Sequence, residues 1–106
     1  MSSDSRAVVI APEGEIDLNS SVLVKEQLEP VIAEKRPRVI LDLNGVSYID
    51  SSGLAVFIEA MQRVQAYGGT FVLCGLRESV NHIFSIARLD QVFRIYPDRA
   101  AAESQD

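Results

Sequence analysis

Short apolar runs alternate with stretches of helical periodicity from residue 7 onward, and this alternation restricts the fold more than any other feature of the chain. Residues 7–11 (Ala-Val-Val-Ile-Ala), 38–43 (Arg-Val-Ile-Leu-Asp-Leu), 70–74 (Thr-Phe-Val-Leu-Cys) and 92–96 (Val-Phe-Arg-Ile-Tyr) are short and rich in β-branched or aromatic residues. They read as strands. The stretch from Ser20 to Lys35 places Val24, Leu28, Val31 and Ile32 on one helical stripe. Pro30 lies inside it and is expected to kink that helix or end it early. Ser52 to Tyr67 carries Leu54, Phe57, Ile58, Met61 and Val64 on one side and stops at Gly68-Gly69. A shorter helix, Glu78 to Ala87, follows the third strand. Pro97 opens a last, Ala-rich helix through Ala102, since proline suits a first turn.

Strand and helix in strict alternation argue for an α/β domain with a small, mostly parallel sheet. In open sheets of this kind ligands and partners gather at the carboxyl ends of the strands. The segment after Leu43 is such an end. It begins with the turn signal Asn44-Gly45 and runs straight into the second helix. At 106 residues the chain is one domain, expected to span 7–102, with flexible polar ends at 1–6 and 103–106.

Composition removes several classes of function. Lys and Arg total 10 against 15 Asp and Glu, for a formal net charge of -5. Nucleic acid and anionic membrane surfaces repel such a chain, so neither is an expected partner. No apolar run approaches the roughly 20 residues of a spanning helix, and the polar start lacks a secretory signal. With one cysteine and one histidine, an intrachain disulfide is impossible and a typical structural zinc site is not expected. The expectation is a cytoplasmic protein without metal or cofactor.

Asp50-Ser51-Ser52-Gly53 stands immediately before the strongly apolar second helix. Capping alone accounts for it, because Asp and Ser side chains accept hydrogen bonds from the free N–H groups of a first turn. The same helix end also tolerates an anion, so a phosphate on Ser51 or Ser52 would add about -1.5 to -2 charge without unfolding the domain. Gly53 adds little bulk there and would let a partner backbone approach. Glu13, Glu15 and Asp17, spaced two apart, share one face of an extended chain. A solvated edge or loop explains them better than a cation site, and Asp17 also suits the start of the first helix, as do Asn19 and Ser20. Ser51 or Ser52 with His82 lacks the Gly-x-Ser-x-Gly setting of a nucleophile, and no phosphate-binding glycine loop is present. Cys74, in an apolar strand, reads as an inert core thiol.

Taken in order, these segments resemble the STAS family and, within it, the bacterial anti-sigma factor antagonists. Gly14-Glu15-Ile16-Asp17 is similar to the signature before that family's first helix. Val39–Leu43, followed by Val46-Ser-Tyr-Ile-Asp50-Ser-Ser-Gly53-Leu54, is similar to its central strand and phosphorylation loop, and Gly68-Gly69 before Phe71–Cys74 also fits. The resemblance implies helices packed on one side of the sheet. It also implies a binding switch: the unphosphorylated protein binds an anti-sigma factor that is a serine kinase with a GHKL-type ATP site, and so frees the sigma factor. Phosphorylation ends the binding, and a PP2C-type phosphatase reverses it. By position the acceptor is Ser51, with Ser52 second, and Asp17, Asp50, Ser52 and Gly53 fall where the partner would be contacted.

The chain departs from the family pattern in having only six polar residues before Ala7, where a further strand is usual, in Ala55 where glycine is common, and in Pro12-Glu13. The competing reading is a STAS module without a switch, a scaffold or a lipid-transport component, which would have no need of a hydroxyl at position 51. A small enzyme ranks last, since no catalytic constellation is visible.

Overall fold

The computed structural model describes residues 7–104. Four strands form one sheet in the order β1-β3-β5-β6: β1 (Val8–Ile10), β3 (Arg38–Asp42), β5 (Thr70–Cys74) and β6 (Arg94–Tyr96). Two more, β2 (Gly14–Ile16) and β4 (Val46–Ile49), form a separate pair. Every pairing is parallel. The helices are α1 (Ser20–Ala33), α2 (Ser51–Ala66), α3 (Glu78–Ile86) and α4 (Arg99–Ser104), with a 3-10 turn at Leu89–Gln91. Expected end segments 1–6 and 105–106 lie outside the described residues, while Glu103 and Ser104 belong to α4.

The central strands read as unbroken apolar runs because both of their faces are covered. Val39 and Leu41 of β3, in register with Phe71 and Leu73 of β5, enter the main core. There they meet Val24, Leu28 and Ile32 of α1, Phe57 and Val64 of α2, and Val80 and Phe84 of α3. Phe84 packs edge-on to Phe93 with ring centroids 5.8 Å apart. Ile40, Val72 and Cys74 point the other way, into a smaller cluster closed by Ala102 of α4. Three helices therefore share one face, and α4 alone covers the opposite one. An Arg99–Asp42 ion pair, with contacts of 2.9 and 3.0 Å, and a hydrogen bond from Arg38 to the Ala102 carbonyl hold it there.

Two local expectations change. Pro30 does not end the first helix, which continues to Ala33. It sits in the last full turn, on the exposed side, and its carbonyl still accepts from Glu34 N–H at 3.0 Å. The last helix starts not at Pro97 but at Arg99, where Asp98 caps it by accepting from Ala101 N–H at 2.8 Å.

Candidate functional site

The short pair β2 and β4 builds the site. Ile16 is in register with Ile49, and the backbone N–H of Asp50 donates to the Ile16 carbonyl at 3.0 Å. Asp17 and Asp50, the residues that follow, thus leave two adjacent parallel strands at the same level. Each then starts a helix. The sequence had left residues 14–17 as an edge or loop and residues 46–50 as a loop. Both contain strands too short, and too exposed on one side, to show a period of their own.

Asp50 is the N-cap of α2, in extended backbone conformation, and its Oδ1 accepts from Ser52 N–H at 2.8 Å and Gly53 N–H at 3.2 Å. Its own carbonyl accepts from Leu54 N–H. This is the capping arrangement expected from the sequence, and it engages one oxygen of the carboxylate. Ser51 is the first residue of the helix and is exposed, whereas Ser52 is half-buried. Among the described residues, the Ser51 hydroxyl is not committed to any hydrogen bond that would have to break on modification. Of the two serines, Ser51 is the more exposed.

Gly53 has a different role from the one expected. It is buried, and a Cβ there would lie 2.7 Å from Ile16 Cγ2 and 2.8 Å from Ile49 Cγ2. The close approach that requires glycine is to the protein's own β2–β4 pair, not to a partner. Gly53 is what lets the first turn of α2 sit down on these strands and so fixes the height at which Ser51 is presented.

Asp17 organises the start of α1. Its Oδ1 accepts from Asn19 N–H and Ser20 N–H, both at 3.0 Å, and from the Ser20 hydroxyl at 3.1 Å. Of the three candidates at this helix start, Asp17 is the residue that caps, since the Asn19 side chain makes no cap hydrogen bond. These donors, Ser20 N–H first, hold its carboxyl below the ordinary carboxylate value. Asp17 is therefore anionic at neutral pH. Ser20, which the sequence reading treated only as a cap, ties the turn together by also donating to the Glu15 carbonyl at 2.8 Å.

The surroundings are partly apolar. Leu18, Val22, Leu23 and Tyr48 are exposed beside these loops. The signal was present in the sequence: Val22-Leu23-Val24 is apolar all round the first turn of α1, although only one side of that turn can face the core. His82 is exposed on α3, and among the described residues no hydrogen bond joins it to Ser51 or Ser52. Among the described residues no group of three or more His, Cys, Asp or Glu side chains is arranged to hold a metal ion, and no helix is long and apolar enough to cross a membrane.

The STAS domain profile matches residues 1–102. The chain belongs to the STAS domain family. It is 37% identical over 82 residues to the anti-sigma-B factor antagonist of Bacillus subtilis, a match covering 77% of this chain and 74% of that protein. It is 34% identical over 92 residues to the anti-sigma-B factor antagonist of Listeria monocytogenes, covering 87% of this chain and 81% of the other. An anti-sigma factor antagonist from Mycobacterium paratuberculosis shares the STAS fold, with a TM-score of 0.82 at 23% identity over 91% of this chain and 81% of that one.

Proposed function

We propose that this STAS protein is an anti-sigma factor antagonist, a binding module rather than an enzyme, whose binding is switched by phosphorylation of Ser51. The observation that carries the reading is the placement of Ser51. It is an exposed hydroxyl on the first residue of a long helix, immediately after a capping carboxylate that is itself level with a second one, Asp17. The antagonist relatives supply the class of partner.

In this reading the unphosphorylated face around Ser51, Asp50 and Asp17 binds an anti-sigma factor, which releases its sigma factor. The partner is also a serine kinase of GHKL type. The Ser51 oxygen bonds to the γ-phosphorus of ATP held by the partner, the bond from that phosphorus to the β,γ-bridging oxygen breaks, ADP leaves, and the hydroxyl proton passes to a base of the kinase. Asp50 holds its Oδ1 in the cap, where it accepts two N–H groups. Its role is to fix the helix start and to place negative charge beside the acceptor. Once added, the phosphate sits at the favourable end of the helix dipole, so the fold tolerates it. The complex does not, because closing the interface strips water from a dianion next to two carboxylates, and like-charge juxtaposition costs several kcal/mol. A PP2C-type phosphatase resets the switch. The function is cytoplasmic, as sigma factor control requires.

Site mapping of the protein purified from its own cells tests this. Phosphate is expected on Ser51 and should be lost in Ser51→Ala, with capture of an anti-sigma factor retained by that variant. Phosphate found mainly on Ser85 or Ser104 would overturn the assignment.

A further inference from the structure

Because every strand of the main sheet runs the same way, the chain has two unlike ends, one where the strands enter and one where they leave. Charge divides between them. At the leaving end stand Glu13, Glu15, Asp17, Asp50, Glu78 and Asp98, against Arg77 and an Arg99 already paired with Asp42. Among the described residues, Lys35, Arg36, Arg38, Arg88 and Arg94 stand at the entering end, against Glu34, Asp90 and Glu103. Only Glu34 among these acids pairs with one of the cations, Arg36, at 3.8 Å. A chain whose net charge is -5 thus carries an end at which cations outnumber acids among the described residues.

The exposed large apolar side chains divide in the same way. Leu18, Val22, Leu23 and Tyr48 lie at the acidic end, with Leu18 70% exposed. Ile86, also 70% exposed, and Val92 lie at the basic end, on either side of the 3-10 turn that leads into β6. Val92 and Arg94 border a mainly polar groove of about 180 Å³ that also carries Gln65 and Thr70 beside Met61 and Phe71. Each end therefore offers what the other lacks: exposed apolar side chains at an end rich in carboxylates, and exposed apolar side chains at an end rich in cations.

We infer that two copies of this chain associate head to tail, the acidic end of one seated on the basic end of the next. Charge complementarity selects this occupant, since two acidic ends repel and two basic ends repel. Such a contact is heterologous, so each copy keeps one free end and association continues into chains or a ring. The patches are small, which makes the contact transient. One consequence, which unlike the association itself rests on the reading of Ser51 above, is that a copy seated on the acidic end covers the ground a kinase partner needs.

Sedimentation velocity of the full chain tests the association. At low ionic strength the weight-average sedimentation coefficient should rise with concentration up to about 1 mM, and salt should reduce the rise by screening the charged rims. Val92→Glu spoils the basic end and Leu18→Lys the acidic end. Each variant alone should associate about tenfold or more weakly than the parent chain. An equimolar mixture should restore association, because the acidic end kept by Val92→Glu meets the basic end kept by Leu18→Lys. Circular dichroism checks that both exposed substitutions leave the fold intact, and Arg94→Glu replaces Val92→Glu if it does not. A monomer at every concentration, or a mixture no more associated than its components, would overturn the inference. Neither result bears on whether Ser51 is phosphorylated.

Discussion

Asp17 and Asp50 are brought to the same level by one hydrogen bond, from Asp50 N–H to the Ile16 carbonyl, in a pair of strands of only three and four residues. Each carboxylate caps a different helix. The acidic ground beside Ser51 is therefore built from two helix starts rather than from one loop. Its geometry depends on β2 and β4 staying paired.

Ser51→Asp separates binding from folding. The substitution adds an anion at the first position of α2, where the dipole favours one, and the side chain there is exposed. Thermal or urea denaturation should show a change of less than about 1 kcal/mol. Affinity for the anti-sigma partner, measured by titration calorimetry, should fall markedly. An unfolded Ser51→Asp protein would show that position 51 is structural and would remove the support for a switch.

Asp17→Asn tests whether the charge matters apart from the cap. Asn caps about as well as Asp, so stability at neutral pH should hardly move. Phosphorylation of Ser51 by the kinase, or affinity for it, should drop. Acid denaturation supplies a second reading. The Asp17 pKa is lowered in the folded protein, chiefly by Ser20 N–H, so its contribution is fully present above the unfolded value near 3.8 and is lost as pH falls through the lower folded value. Asp17→Asn should remove that part of the pH dependence. Wild-type phosphorylation and affinity in this variant would leave Asp17 as a cap only.

Gly53→Ala should destabilise the domain by about 1–2 kcal/mol. Helix propensity favours the alanine by about 1 kcal/mol at most, but overpacking a filled core costs about 1–3 kcal/mol. Overpacking wins here because the new methyl meets Ile16 and Ile49, whose β-branched side chains are both buried and have few alternative rotamers. A chemical denaturation midpoint equal to or above the parent's would contradict this account.

Cys74 should be unreactive in the folded protein. It is buried between the sheet and α4, and burial first, then the nearby Asp42 charge, pushes its thiol up to about 11. At pH 8 the thiolate fraction is about one in a thousand, and the sulfur is also covered. Labelling by a thiol reagent in rising urea should follow global unfolding or the detachment of α4. Rapid labelling in native buffer would show that α4 does not stay docked.

Much was legible in the chain because it is written in short-range terms. The unbroken apolar runs of β3 and β5, the single stripe of α2 and the Asp50 cap each arise within one segment, from side-chain period, propensity and nearby N–H groups. The parallel sheet follows from their order. Tertiary structure decided the rest. β2 and β4 exist only because each satisfies the other's backbone across a long stretch of chain, and their few buried residues carry no period. The opposite-face position of α4 depends on the second layer formed by Ile40, Val72 and Cys74, whose need for a cover belongs to the assembled sheet and not to any one strand. The sequence placed a glycine at position 53 but could not say what approached it; only the docking of α2 on Ile16 and Ile49 made that close contact internal. The same holds for charge, since the sequence fixes the total, while the parallel direction of the strands decides which end each charge occupies.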